Sequence, residues 1–323
     1  MNSVLTSFFH KATGLGALAL LLTGCDTAID VPEPEHTPRV ALALTIDNLA
    51  PSDSVVRQLY ITRQPFVSVS QRLYDLTPLQ GRNNATIEIS DGSGNVVERY
   101  RPVAPPSQNP YGYQNGMYRP VLRYRFRPGQ QYAVRVSVPG VEPATSSLTL
   151  PDEVAVQVNV APLSSNSNGL TRARVTVSFD DPAGSRDYYL ATAQIVDQQG
   201  RGMGYVSVED DENGLDITSL RLSGSSPYDM YPFSDATVNG QRVSFSNNVE
   251  YYDNGTYNPS NARYLLVTLT HLTPDLFQFL NSYIQYSDND GNPFAEPTPL
   301  YSNVQPGFGI FGGATDSRAQ VRL

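Results

Sequence analysis

Lysine is almost absent from this 323-residue chain: Lys11 is the only one, and every other basic residue is an arginine. Cysteine occurs once, at Cys25, histidine three times and tryptophan never. These gaps exclude whole classes of chemistry. Beyond Lys11 there is no amine for a Schiff base, a Ser–Lys dyad or a phosphate-binding loop. A lone cysteine rules out an intrachain disulfide and cysteine-based zinc sites, and its place in the leader rules out Cys–His catalysis. With 22 basic against 31 acidic residues the net charge is −9, so no nucleic-acid partner is expected, since phosphate demands a basic surface. An apolar content of 40% nevertheless sets the chain apart from disordered sequences.

What is present begins with a targeting segment over residues 1–25. His10 and Lys11 precede an apolar stretch, Gly14 to Leu22, that ends in Leu22-Thr23-Gly24-Cys25. The stretch is too short for the ~30 Å hydrocarbon core, which takes about 20 residues, and has the length of a signal-peptide core instead. The four-residue string resembles a bacterial lipobox, with small residues before the cut and a cysteine that takes a diacylglycerol on sulfur. Cys25 is thus the expected lipidation site and the expected link to a membrane. Residues 26–38, rich in proline and acidic side chains, read as an extended, self-repelling tether. His36 lies on it.

The mature chain alternates with a period of two. Val40, Leu42, Leu44 and Ile46 form one such run; Tyr132, Val134, Val136 and Val138 another; then Val154 to Val160, and Val175, Val177 and Phe179. Each predicts a strand packed on one face. Turn pairs such as Asp91-Gly92, Pro128-Gly129, Pro139-Gly140, Asn254-Gly255 and Asp290-Gly291 separate such runs. The predicted class is all-β: an immunoglobulin-like (carboxypeptidase-regulatory-like) sandwich over 39–152, then a second β domain over 153–323 carrying one α-helix. The boundary is expected at Leu150-Pro151-Asp152-Glu153. The helix follows Thr273 as N-cap and Pro274 at its first position, with Leu276, Phe277, Leu280, Tyr283 and Ile284 as its apolar face. Long, evenly spaced strands with aromatic girdles are lacking, which argues against a membrane-spanning barrel.

Candidate chemistry is sparse. Outside the leader the histidines are His36 and His271. No Gly-x-Ser-x-Gly elbow accompanies them, so His271, at the end of an apolar strand, is expected to be a hydrogen-bonded structural residue. Asp288, Asp290 and Asn292 alternate like the first half of a calcium loop, but Pro293 stands where the sharp-turn glycine belongs and Pro299 where the closing glutamate belongs. Calcium there is a weak candidate, and otherwise no metal, cofactor or catalytic residue is expected. Glu209-Asp210-Asp211-Glu212-Asn213 reads as a solvated loop tip. Nothing in the spacing nominates a carboxylate pair for glycoside hydrolysis. The tyrosines are more suggestive: Tyr111, Tyr113, Tyr118, Tyr228, Tyr231, Tyr251, Tyr252 and Tyr257 sit among Gly, Asn, Gln and Asp, the setting of rigid amphipathic rings on a recognition surface.

The C-terminal third carries a recognisable pattern: Asn292-Pro293-Phe294-Ala295-Glu296-Pro297, then Tyr301-Ser302-Asn303, then Gly307-Phe308-Gly309-Ile310-Phe311-Gly312. It resembles a family of Bacteroidota lipoproteins catalogued only as a domain of unknown function, with an NPFAEP…YSN…GxGIFG ending. Pro232-Phe233-Ser234-Asp235 with Asn239-Gly240, and Asn115-Gly116-Met117-Tyr118 with Pro128-Gly129-Gln130-Gln131-Tyr132, are similar to further motifs of that family. Gln131, in place of a threonine, and Gln305-Pro306 depart from it. The resemblance implies an outer-membrane lipoprotein, surface-facing, often encoded near TonB-dependent transporters, and it implies no activity. Acidic residues after the lipidated cysteine resemble a surface-export signal in that lineage and an inner-membrane retention signal elsewhere. The expected function is a non-enzymatic interaction module of the envelope with a transporter or other envelope protein as partner. The alternatives are a carboxylate-based envelope hydrolase acting on glycan or peptide and a purely structural lipoprotein. On physical grounds the glycines between Gly307 and Gly313 would let a closing strand bend while Phe308, Ile310 and Phe311 enter the core.

Overall fold

A computed structural model of the chain describes residues 32–49, 65–75, 77–103, 115–165, 170–209, 220–224, 230–252, 263–289, 296 and 298–323. Among the described residues the fold is all-β with one helix. Two strands open it, β1 (Val40–Asp47) and β2 (Phe66–Val69), paired antiparallel. A five-stranded sheet follows, made of β3 (Thr86–Asp91), β4 (Val96–Pro102), β5 (Tyr118–Pro120), β6 (Gln131–Ser137) and β7 (Ala144–Thr149) in the order β5-β4-β3-β6-β7. Next, β8 (Val156–Ser165) and β9 (Leu170–Asp180) join β12 (Val206–Val208) and β15 (Arg242–Tyr252) in a four-stranded sheet, ordered β12-β15-β9-β8. The remaining strands return to the first two. β10 (Tyr188–Asp197), β11 (Gly202–Gly204), β16 (Arg263–Leu272) and β17 (Gly307–Arg322) complete a sheet ordered β11-β10-β16-β17-β1-β2, and the short β13 (Leu222–Ser223) and β14 (Phe233–Ser234) pair with β10.

The long β17 joins the two ends of the chain. Its residues 307–314 pair in parallel with β1, and its residues 314–322 pair antiparallel with β16. The boundary expected at 150–153 separates the five-stranded sheet from the four-stranded one, while the large sheet takes strands from both sides of it. Residues 37–71 and 76–323 accordingly make one compact unit. Residues 32–36 group separately with 72–75, where Glu33 and Arg72 form an exposed ion pair at 3.6 Å.

Alternation along the strands sorts the core. Leu42, Leu44 and Ile46 of β1 and Phe311 of β17 meet Ile87, Ile89, Val134 and Val136 of the five-stranded sheet. Ala191, Ala193, Leu265 and Val267 of the large sheet meet Val175, Val177 and Phe179 of the four-stranded one. Leu190, Leu266, Ile310 and Ala314 point to the opposite face, where helix α1 (Pro274–Asn289) lays down Leu276, Phe279 and Leu280. Each such buried side chain contributes about 1.5–3 kcal/mol. Phe308 departs from expectation. It is half-exposed, because only Ile310 and Phe311 of the glycine-rich ending fall where the sheet is covered. Among the described residues no helix is long and apolar enough to cross a membrane.

Helix α1 starts as its cap predicts. The Leu276 N–H donates to Thr273 Oγ1 at 3.4 Å, and Gly313 N–H of β17 donates to the same oxygen at 3.1 Å. Asn303 links that first turn to β17. Its amide accepts the Phe311 N–H at 2.9 Å, donates to the Phe311 carbonyl at 2.9 Å and donates to Asp275 at 3.0 Å. Tyr301 also donates to Asp275, and burial together with that carboxylate pushes its hydroxyl up to about 12. Asn303→Ala leaves the Phe311 backbone unpaired; we expect a loss of about 2 kcal/mol in urea unfolding, with the Tyr301→Phe loss smaller because only one bond disappears.

Candidate functional site

Two connections, β9–β10 and β14–β15, bring three carboxylates together. Asp181 follows β9 directly, Asp187 precedes β10, and Asp235 follows β14. One oxygen from each lies within 4.8 Å of the others, and all three side chains are buried. The backbone holds them in place. Asp181 N–H donates to the Gln241 carbonyl at 3.0 Å, and Asp235 N–H donates to the Asp187 carbonyl at 3.1 Å. Asn239 clamps the β9–β10 connection by accepting the Gly184 N–H at 3.3 Å and donating to the Ser185 carbonyl. The Asn239-Gly240 turn also supplies Gly240 N–H to Asp181 Oδ2 at 2.8 Å.

The surrounding side chains serve two of the acids and leave the third alone. Asp181 Oδ1 accepts the Tyr189 hydroxyl at 2.6 Å. Asp187 accepts the Ser185 hydroxyl at 3.0 and 3.2 Å and faces His271 Nε2 at 3.2 Å. His271 Nδ1 lies 2.9 Å from the Asp152 carbonyl, which can only accept, so this nitrogen carries hydrogen. Both oxygens of Asp235, 1% exposed, are buried without a hydrogen bond of standard geometry among the described residues. Burial pushes the Asp235 carboxyl above the usual carboxylate range; the Asp187 backbone N–H pulls against it, the charges of Asp181 and Asp187 add to the rise, and Arg186 opposes them. Burial and the bond to Asp181 raise the Tyr189 hydroxyl in the same way.

His271 is the hydrogen-bonded residue expected of it, 6% exposed and stacked on Tyr189 with ring centroids 4.9 Å apart. The three aspartates escaped sequence reading, since no spacing joins positions 181, 187 and 235. The one available signal was the Phe233-Ser234-Asp235 string with its Asn239-Gly240 turn, and both ends of it contact the cluster.

The nominated tyrosines among the described residues are Tyr118, Tyr231, Tyr251 and Tyr252. Tyr118 is a core residue: at 2% exposure, its hydroxyl donates to the Arg82 carbonyl at 2.6 Å and accepts the Ala85 N–H at 2.8 Å, which removes it from any recognition surface. Tyr231 is half-buried, its ring 4.1 Å from the Arg221 guanidinium. Tyr251 packs its ring against the core beneath the four-stranded sheet. Tyr252 belongs to β15. Tyr111, Tyr113, Tyr228 and Tyr257 lie outside the described residues, as do Cys25, Asp290 and Asn292. Asp288 sits exposed on the last turn of α1.

Comparison with known proteins yields a family. Residues 36–320 match the family described as domain of unknown function DUF4249, and the chain belongs to it. No curated protein matches the chain.

Proposed function

We propose that this member of the family is a lipid-anchored binding module of the bacterial outer membrane, carried on the cell surface and working with an envelope protein such as a TonB-dependent transporter. The observation that carries the reading is Leu22-Thr23-Gly24-Cys25, followed by a proline-rich acidic tether that ends where the compact, family-matched body begins. Acyl chains on Cys25 would each contribute ~0.8 kcal/mol per buried CH₂, and more than one such chain makes attachment stable. Partly exposed tyrosines, Tyr231 among them and Tyr205 at 81% exposure, support a binding role. The competing reading, a carboxylate hydrolase, draws on Asp181, Asp187 and Asp235, the close set of acids among the described residues. Their burial favours a structural use.

Cys25→Ser tests the anchor. The wild-type chain is expected in the membrane pellet with incorporated palmitate, and the variant in the soluble fraction or as uncut precursor. Membrane retention of an unlabelled Cys25→Ser chain would refute it. Mild-detergent purification of the wild type should bring down a second envelope protein at near-stoichiometric yield, and recovery of the solitary chain would count against the partner.

A further inference from the structure

We infer that Asp181, Asp187 and Asp235 bind a calcium ion that fastens together the connections on which they lie. Two oxygens on one Ca²⁺ stand at most about 5 Å apart, given ligand distances of 2.3–2.6 Å, and this set meets that limit. Asp235 points to a ligand independently of the clustering. Its carboxylate is buried, aimed at the other two acids, and neither oxygen accepts a hydrogen bond of standard geometry among the described residues, the Asp187 backbone N–H approaching it only off-line. A buried carboxylate without a partner is among the costliest arrangements in a folded chain. A divalent cation supplies what is missing: it coordinates both Asp235 oxygens and offsets the repulsion among three acids.

The bonds already made by Asp181 and Asp187 suit this role. Tyr189, Ser185 and Gly240 N–H each occupy one lone pair of a carboxylate oxygen and leave others for the ion, orienting the ligands as outer-shell donors do, and His271 packs beside Asp187 at 3.2 Å. Hard oxygen donors from three protein carboxylates match calcium better than magnesium, which keeps most of its water. Through His271 and the Asp152 carbonyl, the ion would also brace the connection between the five- and four-stranded sheets.

The test is thermal unfolding of the purified full chain after EDTA treatment, with calcium chloride or magnesium chloride added back. Calcium at about a hundred times its dissociation constant should raise the midpoint by roughly 5 °C or more. Asp235→Asn should fold, match or exceed the wild-type midpoint in EDTA because one buried charge is gone, and show no calcium response. Asp187→Asn provides a second variant with the same expected loss of response. Asp288→Asn, in the half-loop suggested by sequence, should keep it. A wild-type midpoint indifferent to calcium, an equal response to magnesium, or a full calcium response in Asp235→Asn overturns the assignment.

Discussion

Gly309→Ala is expected to leave little folded protein at 25 °C. Gly309 pairs with Leu42 in the parallel β17–β1 ladder and holds φ at +99°, a region that side chains rarely adopt. The larger obstacle is space. A Cβ at this position would stand 1.9 Å from the Leu42 carbonyl oxygen and 2.9 Å from its carbon. Backbone atoms cannot rotate away as a side-chain tip can, so the strands must separate, at the point where β17 joins the first strand to the rest of the sheet. Gly94 separates the two effects. Its φ is +84°, yet nothing lies within 4 Å of an added Cβ, so Gly94→Ala should cost only the backbone term of about 1 kcal/mol. The Gly309 change adds a clash beyond the 4–5 kcal/mol that marks exceptional substitutions, against a total stability of about 5–15 kcal/mol. Far-UV circular dichroism and urea titration of both variants measure the difference. Equal midpoints for the two would show that the β17–β1 approach is looser than described.

That ladder also shows where sequence reading stops. Strands packed on one face declare themselves: Tyr132, Val134 and Val136 of β6, or Val175, Val177 and Phe179 of β9, alternate in the chain as they do in the fold. Helix α1 was equally legible, since its cap and apolar stripe are local. Pairing between the first and last strands has no local signature, because parallel neighbours need no shared turn. Burial of polar-looking positions is hidden for a related reason. Tyr118 sits among Gly, Asn and Met in sequence, and what buries it is a carbonyl at Arg82 and an N–H at Ala85. The aspartate cluster is the extreme case. Its members come from the β9–β10 and β14–β15 connections, and no periodicity relates acids that meet only after the four-stranded and large sheets have formed.

Glu98 belongs to the same hidden class and carries the second large effect. It lies in β4 between Val97 and Arg99, reads as an ordinary outward-facing strand residue, and has no exposed surface. Its Oε1 accepts the N–H groups of Arg99, Val121 and Leu122 at 2.9, 3.0 and 2.7 Å, and its Oε2 accepts Tyr124 N–H at 2.8 Å. A carboxylate has about four acceptor sites, so one side chain organises the segment that follows β5 and turns through Arg123 at φ +57°. No ion pair accompanies Glu98 among the described residues; backbone dipoles alone stabilise the charge. Glu98→Ala leaves the Arg99, Leu122 and Tyr124 N–H groups without this acceptor, while Val121 N–H keeps the Arg99 carbonyl at 2.8 Å; unmade bonds cost ~1–3 kcal/mol each, so after relaxation a loss of about 4 kcal/mol is expected. Glu98→Gln tests the charge itself, because its NH₂ group must oppose an N–H, at a cost of about 2–4 kcal/mol despite equal size. Glu88 on the neighbouring strand is the control. It meets Arg99 at 2.8 Å in an exposed pair, and Glu88→Gln should change stability by less than about 1 kcal/mol. The midpoints of urea unfolding should therefore fall in the order wild type, Glu88→Gln, Glu98→Gln, Glu98→Ala. The last two should also loosen the edge-to-face contact of Tyr124 with Phe126, whose centroids lie 5.3 Å apart, because the Tyr124 backbone is what Glu98 holds. A Glu98→Gln midpoint matching that of Glu88→Gln would mean that the 121–124 segment keeps its shape without the buried charge.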